Sequence, residues 1–166
     1  RFAKGLGIDP GVDPSRRMSE IAQTRGVQVV QGTAEDLPFS PGSFDGVLMA
    51  LTLCFLDDAV CALGQCARVL RPFGRLLVGT VPSDSPWGKE YARMASQGHP
   101  ICGLAHFHTT EEIAELVMHC GFTFNDARSA LLWKPGEAPD PVPRTESGIS
   151  PQAGFVGMLF EKREAD

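Results

Sequence analysis

Apolar runs alternate with stretches of helical periodicity along most of this chain. Four runs predict strands buried on both faces of a parallel sheet: residues 5–12 with Asp13 at their end, residues 27–31, residues 44–53 and residues 75–81. Two more strands are predicted near residues 127–133 and 154–162. Because a loop rather than a helix joins these last two strands, we expect them to pair antiparallel at one edge of the sheet.

Helix start and stop signals separate the predicted strands. Pro14 suits a first helical position with Asp13 as its N-cap, and Gly26 suits the position just past the helix end. Further along, Thr109 and Glu112 have the spacing of a capping box, in which each side chain bonds the other residue's backbone N–H. Repeated strand and helix units predict a doubly wound α/β sheet in a single domain, residues 1–166.

A proline-rich segment interrupts the pattern near the end of the chain. Five prolines fall within residues 134–151, between the last two predicted strands. Proline lacks a backbone N–H and fixes its own φ, so this segment is predicted to be a loop with little regular structure.

Composition narrows the classes of function and location. The 166 residues are 43% hydrophobic and carry a net charge of −5, which argues against a broad nucleic-acid or anionic-membrane surface. No apolar run is long enough to span a membrane and no signal peptide is visible, so we expect a cytoplasmic protein. The five cysteines are odd in number and none has CxxC spacing, which is typical of reduced thiols that pack as small apolar groups.

Three motifs in order resemble the class I S-adenosylmethionine-dependent methyltransferases of the small-molecule group. They are residues 11–15 (GVDPS), residues 32–39 (GTAEDLPF) followed by Ser43-Phe44-Asp45, and residues 67–78 (ARVLRPFGRLLV). The resemblance covers roughly residues 1–125 and implies a mostly parallel, Rossmann-like methyltransferase fold with an antiparallel edge strand. It implies S-adenosylmethionine as cofactor and a small molecule as methyl acceptor. It also implies that residues 82–108 form an insertion that covers the substrate.

The resemblance assigns the nucleoside part of the cofactor to two strand ends. An acid such as Asp13 at the end of a strand can accept hydrogen bonds from both ribose hydroxyls, or it can merely cap the next helix. Thr33, Ala34 and Glu35 correspond to the family's adenine-binding loop. Thr33 stands where the family commonly has Asp, so Glu35 or the backbone of Ala34 would take over that contact. The alternative for these residues is a solvated polar loop.

Met49, Ala50 and Leu51 correspond to the residues that the family places against the methionine part of the cofactor. The alternative for these three is plain core packing, because they end a nearly continuous apolar run.

No catalytic constellation can be assigned from the sequence. Methyl transfer from a sulfonium is an in-line displacement, so the protein mainly aligns the acceptor and a general base is optional. His106-Phe107-His108 is the one cluster of interest. Its histidines could bind a metal, although no third ligand is close in sequence, or line the substrate pocket, or belong to a loop that leads to Thr109. We therefore predict no metal site.

The family's first strand and glycine-rich loop have no counterpart in this sequence. Gly5, Gly7 and Gly11 are poorly spaced for such a loop and lead into a strand rather than a helix. We therefore expect an N-terminally truncated fold, with roughly 30 to 50 further residues upstream in the intact protein. Two alternatives to an active methyltransferase remain: a truncated, non-catalytic binding module, and a nucleotide-binding oxidoreductase, which would need a fingerprint glycine loop at the start of the chain.

Overall fold

The computed structural model describes residues 9–164. Its helices are α1 (Arg16–Thr24), α2 (Ala59–Val69), α3 (Pro86–Ser96) and α4 (Thr110–His119), with short 3-10 turns at Leu53–Phe55 and Cys102–Leu104. Its strands are β1 (Gly11–Asp13), β2 (Val29–Gln31), β3 (Phe44–Ala50), β4 (Leu70–Thr80), β5 (Phe122–Ala130), β6 (Glu146–Ser147) and β7 (Phe155–Lys162). Residues 5–8 of the first predicted strand lie outside the described part. None of these four helices is long and apolar enough to cross a membrane.

The strands form two separate sheets. β1 and β2 pair in parallel, and a mixed sheet of five strands has the order β3-β4-β7-β5-β6. β3 runs parallel to β4, whereas β7 runs antiparallel to both β4 and β5. The predicted antiparallel pairing of the last two long strands is confirmed, and the pair lies at one side of the sheet, where only the two-residue β6 extends beyond it. β7 lies inside the sheet, and the antiparallel edge strand is β6.

One face of the five-stranded sheet carries the main hydrophobic core. Alternate side chains of β4 and β7 point to this face, and the apolar stripes of α2 and α4 cover it. The fully buried members of this core include Leu63, Leu76, Ile113, Met158 and Phe160. On the opposite face of β4, Leu77 keeps 39% of its surface exposed. The prediction of strands buried on both faces is therefore wrong for β4 as far as Leu77, whereas the last three residues of this strand are all buried.

Several strand boundaries differ from the predicted ones, and positive φ angles explain two of these differences. β3 ends at Ala50, since Leu51 takes a φ of +55° and turns the chain into the first 3-10 turn. β5 begins at Phe122, five residues earlier than predicted, and stops before Leu131, whose φ is +53°. The polar residues of β5 hide it from a search for apolar runs, because only alternate side chains of this strand reach the core.

The side-chain hydrogen bonds at the helix starts show which residues cap α1 and α4. The cap of α1 is Ser15, whose hydroxyl accepts from the backbone N–H of Met18, so the prediction of Asp13 as the N-cap is wrong. The capping box of α4 is confirmed, with both reciprocal bonds between Thr109 and Glu112. In the proline-rich segment 134–151, β6 pairs with β5, so that prediction holds except at Glu146–Ser147.

The turn within β4 contains a strained residue that suggests a stabilising substitution. Phe73 has a φ of +60° and is 57% exposed, so its side chain gains little from packing. A left-handed conformation costs a non-glycine residue about 1–2 kcal/mol, and glycine loses more entropy on folding. We expect Phe73→Gly to raise the free energy of unfolding by about 0.5–1 kcal/mol in urea titrations. Phe73→Ala keeps the strain, and an equal gain from Ala would contradict this explanation.

Candidate functional site

Asp13 lies at the carboxyl end of β1, half-buried, directly opposite Gln31 of β2. Its Oδ1 accepts a hydrogen bond of 2.8 Å from the backbone N–H of Ser15, and its carbonyl accepts one of 3.4 Å from Gly32. Within residues 9–164, no hydrogen-bond partner occupies Oδ2. The carboxylate is thus oriented by the turn that follows β1 while one oxygen stays available to a ligand.

The loop after β2 is a compact turn that contains three of the predicted site residues. Thr33 and Asp36 form an antiparallel bridge, in which the Asp36 N–H donates to the Thr33 carbonyl at 3.4 Å. Ala34 and Glu35 lie half-buried at the tip between them. A Cβ on the preceding Gly32 would sit 3.3 Å from Pro38, so this turn packs tightly on itself. We call residues 33–39 the β2 loop.

Two side chains of α2 hold the β2 loop. The Cys61 thiol donates to the Glu35 carbonyl at 3.4 Å. Arg68 donates from Nη1 to the Phe39 carbonyl at 2.7 Å and from Nη2 to the Leu37 carbonyl at 2.8 Å. Sequence reasoning missed both residues. Arg68 belongs to the motif of residues 67–78, in which no side chain was assigned a role, and no spacing rule shows that its side chain reaches residues 29 and 31 positions earlier.

The third group of predicted residues divides into buried and exposed members. Met49 is 4% exposed and belongs to the hydrophobic core, which agrees with the alternative of core packing for this residue. Ala50 ends β3 opposite Gly79, and the Leu51 N–H donates to the Gly79 carbonyl at 2.8 Å. The Leu51 side chain is 50% exposed. Ala50 and Leu51 are therefore the members of this group that a ligand at the end of β3 can contact.

The described residues bring the predicted site together only in part. Asp13 and the β2 loop share one end of the two-stranded sheet, whereas Ala50 and Leu51 stand at the end of a different sheet. Two surface depressions of about 380 and 410 Å³ lie elsewhere, lined by residues of α3 and its C-terminal turn and by residues between α1 and β2. Neither is lined by a predicted site residue.

The segment 82–108 is folded onto the end of the five-stranded sheet. It contains α3, whose cap Ser85 accepts from the N–H of Gly88, and it is fixed by a bond of 2.6 Å from Trp87 Nε1 to the Trp133 carbonyl. Rings follow one another from Trp87 to Tyr91 to Phe107, with centroids 6.2 and 5.9 Å apart. Its assignment as a substrate-covering insertion stays a prediction.

His106 and His108 lie in the loop that leads into α4, which is one of the alternatives left open by the sequence. The His106 N–H donates to the Cys54 carbonyl at 2.7 Å, so this loop adjoins the chain that follows β3. His108 Nδ1 lies 3.8 Å from a carboxylate oxygen of Glu112 in the capping box. Within residues 9–164, no three His, Cys, Asp or Glu side chains gather as a metal site would require.

Similarity to known proteins decides the family. A sequence model described as a methyltransferase domain matches residues 9–78. A SAM-dependent methyltransferase of Thermotoga maritima, described as a possible histamine N-methyltransferase, is 37% identical and superposes with a TM-score of 0.88, covering 98% of this chain and 76% of that one. This chain belongs to the S-adenosylmethionine-dependent methyltransferases. The predicted Rossmann-like methyltransferase fold is confirmed by the same superposition.

Two curated relatives are matched over only part of their own length. An uncharacterised protein of Mycobacterium tuberculosis (strain H37Rv) is 37% identical over 95% of this chain and 55% of its own length. A ubiquinone/menaquinone biosynthesis C-methyltransferase of Klebsiella pneumoniae (strain 342) is 28% identical over 90% of this chain and 53% of its own length. The methyltransferase chain described here thus spans about half the length of these curated relatives.

The cysteines of α2 differ in environment, which predicts selective alkylation. Cys61 is exposed, whereas Cys66 is buried and burial raises its pKa from 9.0 to about 12. A thiol with that pKa holds about 1,000-fold less thiolate below pH 9 than one of pKa 9.0. We expect iodoacetamide at pH 8 to modify Cys61 and spare Cys66 in the native protein, as read by peptide mass spectrometry. Equal modification of both thiols before unfolding would contradict the burial of Cys66.

The same burial gives stability a defined pH dependence. Cys66 is protonated in the folded chain up to about pH 12 but ionises near pH 9.0 once unfolded. The folded state therefore binds more protons between these values, and its stability decreases as pH rises through that window.

Proposed function

We propose that this protein transfers a methyl group from S-adenosylmethionine to a small-molecule acceptor. The observation that carries the proposal is the placement of the motif residues at carboxyl ends of parallel strands. Asp13 ends β1, the β2 loop follows β2, and Ala50 and Leu51 end β3. Ligands of open α/β sheets bind at this end of the strands. Membership of the methyltransferase family supports a methyl-donor cofactor there.

The residues present fit the nucleoside part of this cofactor. The Oδ2 of Asp13, which has no hydrogen-bond partner within residues 9–164, can accept from a ribose hydroxyl while the Ser15 N–H keeps the carboxylate oriented. The β2 loop offers the Glu35 carboxylate and backbone groups at Ala34 to an adenine ring. Exposed Leu51 can pack on the aliphatic part of the cofactor. Each role is the one that the family resemblance implies for that position.

Two strand edges support a further part of the proposal. Among residues 9–164, β1 pairs only with β2 and β3 pairs only with β4, so both have an edge without a partner. A parallel strand between β1 and β3 would join the two sheets and bring Asp13 beside Leu51. We propose that an upstream strand with a glycine-rich loop occupies this position and completes the cofactor site.

In the proposed mechanism the chain binds the cofactor, orients the acceptor and excludes water. The bound cofactor supplies an activated methyl group on a positively charged sulfur. Asp13 and the β2 loop fix the nucleoside, and the segment 82–108 excludes water and aligns the acceptor atom for in-line displacement. The acceptor is proposed to be a small molecule because the chain carries a net charge of −5 and its Klebsiella relative is a C-methyltransferase of quinone biosynthesis.

Calorimetric titration of the whole protein, including any upstream residues, tests the proposal. We expect micromolar binding of S-adenosylmethionine and S-adenosylhomocysteine and none of NAD. Binding of NAD instead would favour the oxidoreductase. Binding of none of the three would overturn the enzyme proposal in favour of a non-catalytic module.

A further inference from the structure

We infer that Arg68 is a positioning residue for the cofactor, because its guanidinium fixes the β2 loop in the shape that receives the adenine ring. The inference rests on the proposed function and deepens it. Arg68 lies on α2 and is not part of the β2 loop. It acts on the adenine through the backbone carbonyls of Leu37 and Phe39, which belong to the same loop as the candidate adenine contacts.

The guanidinium makes four hydrogen bonds from three nitrogens. Two reach the loop carbonyls of Leu37 and Phe39 at 2.8 and 2.7 Å. The other two, from Nε and Nη2, reach Oε1 of Gln65 at 3.1 and 2.7 Å. Gln65 lies one helical turn earlier on α2, so it holds the guanidinium plane in the orientation that meets both carbonyls. The planar fork of arginine suits two acceptors at fixed separation, and a lysine cannot reproduce it.

Because Arg68 carries a positive charge, it depends on the loop carbonyls as hydrogen-bond acceptors. The side chain is half-buried, and no Asp or Glu carboxylate of residues 9–164 forms an ion pair with it. Its compensation comes from neutral oxygens, and two of its three acceptors belong to the loop. A loop that moved away would leave a partly desolvated cation short of acceptors. Displacement of the loop would therefore cost free energy at Arg68. This cost restrains the loop in addition to the hydrogen bonds of the loop's own turn.

The helix that carries Arg68 is held in place by the core, so it can fix the position of the loop. Leu63, Cys66 and Val69 bury the opposite side of α2 in or beside the core. The Gly42 N–H donates to the Arg68 carbonyl at 3.0 Å, so the chain leaving the loop is tied to the same residue. The Cys61 thiol on Glu35 adds a contact near the tip. α2 thus sets the position of the β2 loop relative to the sheet.

Arg71 offers a matched control. It lies three residues later in the same motif, but its side chain is 53% exposed and pairs with Asp45 at the start of β3, away from the β2 loop. The two arginines share charge, size and sequence neighbourhood, and only Arg68 touches the loop.

The experiment compares Arg68→Gln, Arg68→Lys, Gln65→Leu and Arg71→Gln in the whole protein. We expect Arg68→Gln to weaken S-adenosylhomocysteine binding about tenfold, since two charge-assisted bonds to the loop are lost. Arg68→Lys should recover part of the loss, and Gln65→Leu should produce a smaller one. Arg71→Gln should bind like the natural protein. In a methyl-transfer assay, the KM for S-adenosylmethionine should rise while kcat at saturation changes less than twofold.

A second readout separates positioning from general destabilisation. The natural protein should prefer S-adenosylhomocysteine to its deaminated analogue, S-inosylhomocysteine, because the loop reads the adenine amino group. That preference should shrink in Arg68→Gln, whereas a merely loosened fold would weaken both ligands equally. An unchanged preference, or a loss equal to that of Arg71→Gln, would overturn the inference. If the natural protein binds neither ligand, the proposed function fails first and the role of Arg68 fails with it.

Discussion

Asp13→Asn should weaken binding of S-adenosylhomocysteine to the whole protein by roughly 100-fold, the largest effect that we expect from any single polar substitution in the site. Asparagine retains an oxygen that can accept from the Ser15 N–H, so the turn after β1 should survive. Asparagine lacks the negative charge and the second acceptor oxygen. It therefore cannot accept hydrogen bonds from the two ribose hydroxyls as a carboxylate can. The loss of affinity would then report on the ligand rather than on folding.

The control is Asp45→Asn, which removes an equivalent charge at the start of β3, where Asp45 pairs with exposed Arg71. Titration calorimetry should find the affinity of this variant within twofold of the natural protein, and urea unfolding should find both variants folded. If the Asp13→Asn protein binds S-adenosylhomocysteine normally, the role of Asp13 would be limited to stabilising the turn after β1. The ribose assignment would then be wrong.

The elements that could be predicted from sequence are those whose signals are local. The capping box of α4 needs only Thr109 and Glu112, and it is confirmed. The position of β7 between β4 and β5 could not be predicted, because strand order depends on pairings between residues about 80 positions apart, such as Leu76 with Phe160. Asp13 was taken for a helix cap because Asp and Ser are almost equally good caps. Which of the two caps depends on where β1 ends.

The candidate site divides along the same physical line. The family resemblance made Asp13, Thr33 and Leu51 candidate cofactor contacts, because its motifs place each of them at the end of a predicted strand. Arg68 was hidden, because its partners are backbone carbonyls that carry no residue-type signal. Contacts from side chain to distant backbone are therefore the part of such a site that only a structure supplies.

Two helical glycines lead to the second prediction with a large effect, this time on stability. A Cβ at Gly88 would overlap the Pro82 carbonyl oxygen and would lie 2.8 Å from two backbone atoms of Ser83. Backbone at both sides of this contact cannot move aside as a flexible side chain would. We expect Gly88→Ala to lower the free energy of unfolding by roughly 3 kcal/mol, the upper end for overpacking of a buried site. Urea titration followed by far-UV circular dichroism measures it.

Gly64 of α2 is the matched control, because a Cβ there meets nothing within 4 Å. Alanine is the better helix former, so Gly64→Ala should stabilise the protein by about 0.5–1 kcal/mol. The same substitution should thus act in opposite directions in two helices. Because Gly88 seats the first turn of α3 against residues 82 and 83, its alanine variant should also raise the KM for the methyl acceptor more than the KM for S-adenosylmethionine. If both KM values rise equally, α3 serves the fold as a whole rather than the acceptor side of the site.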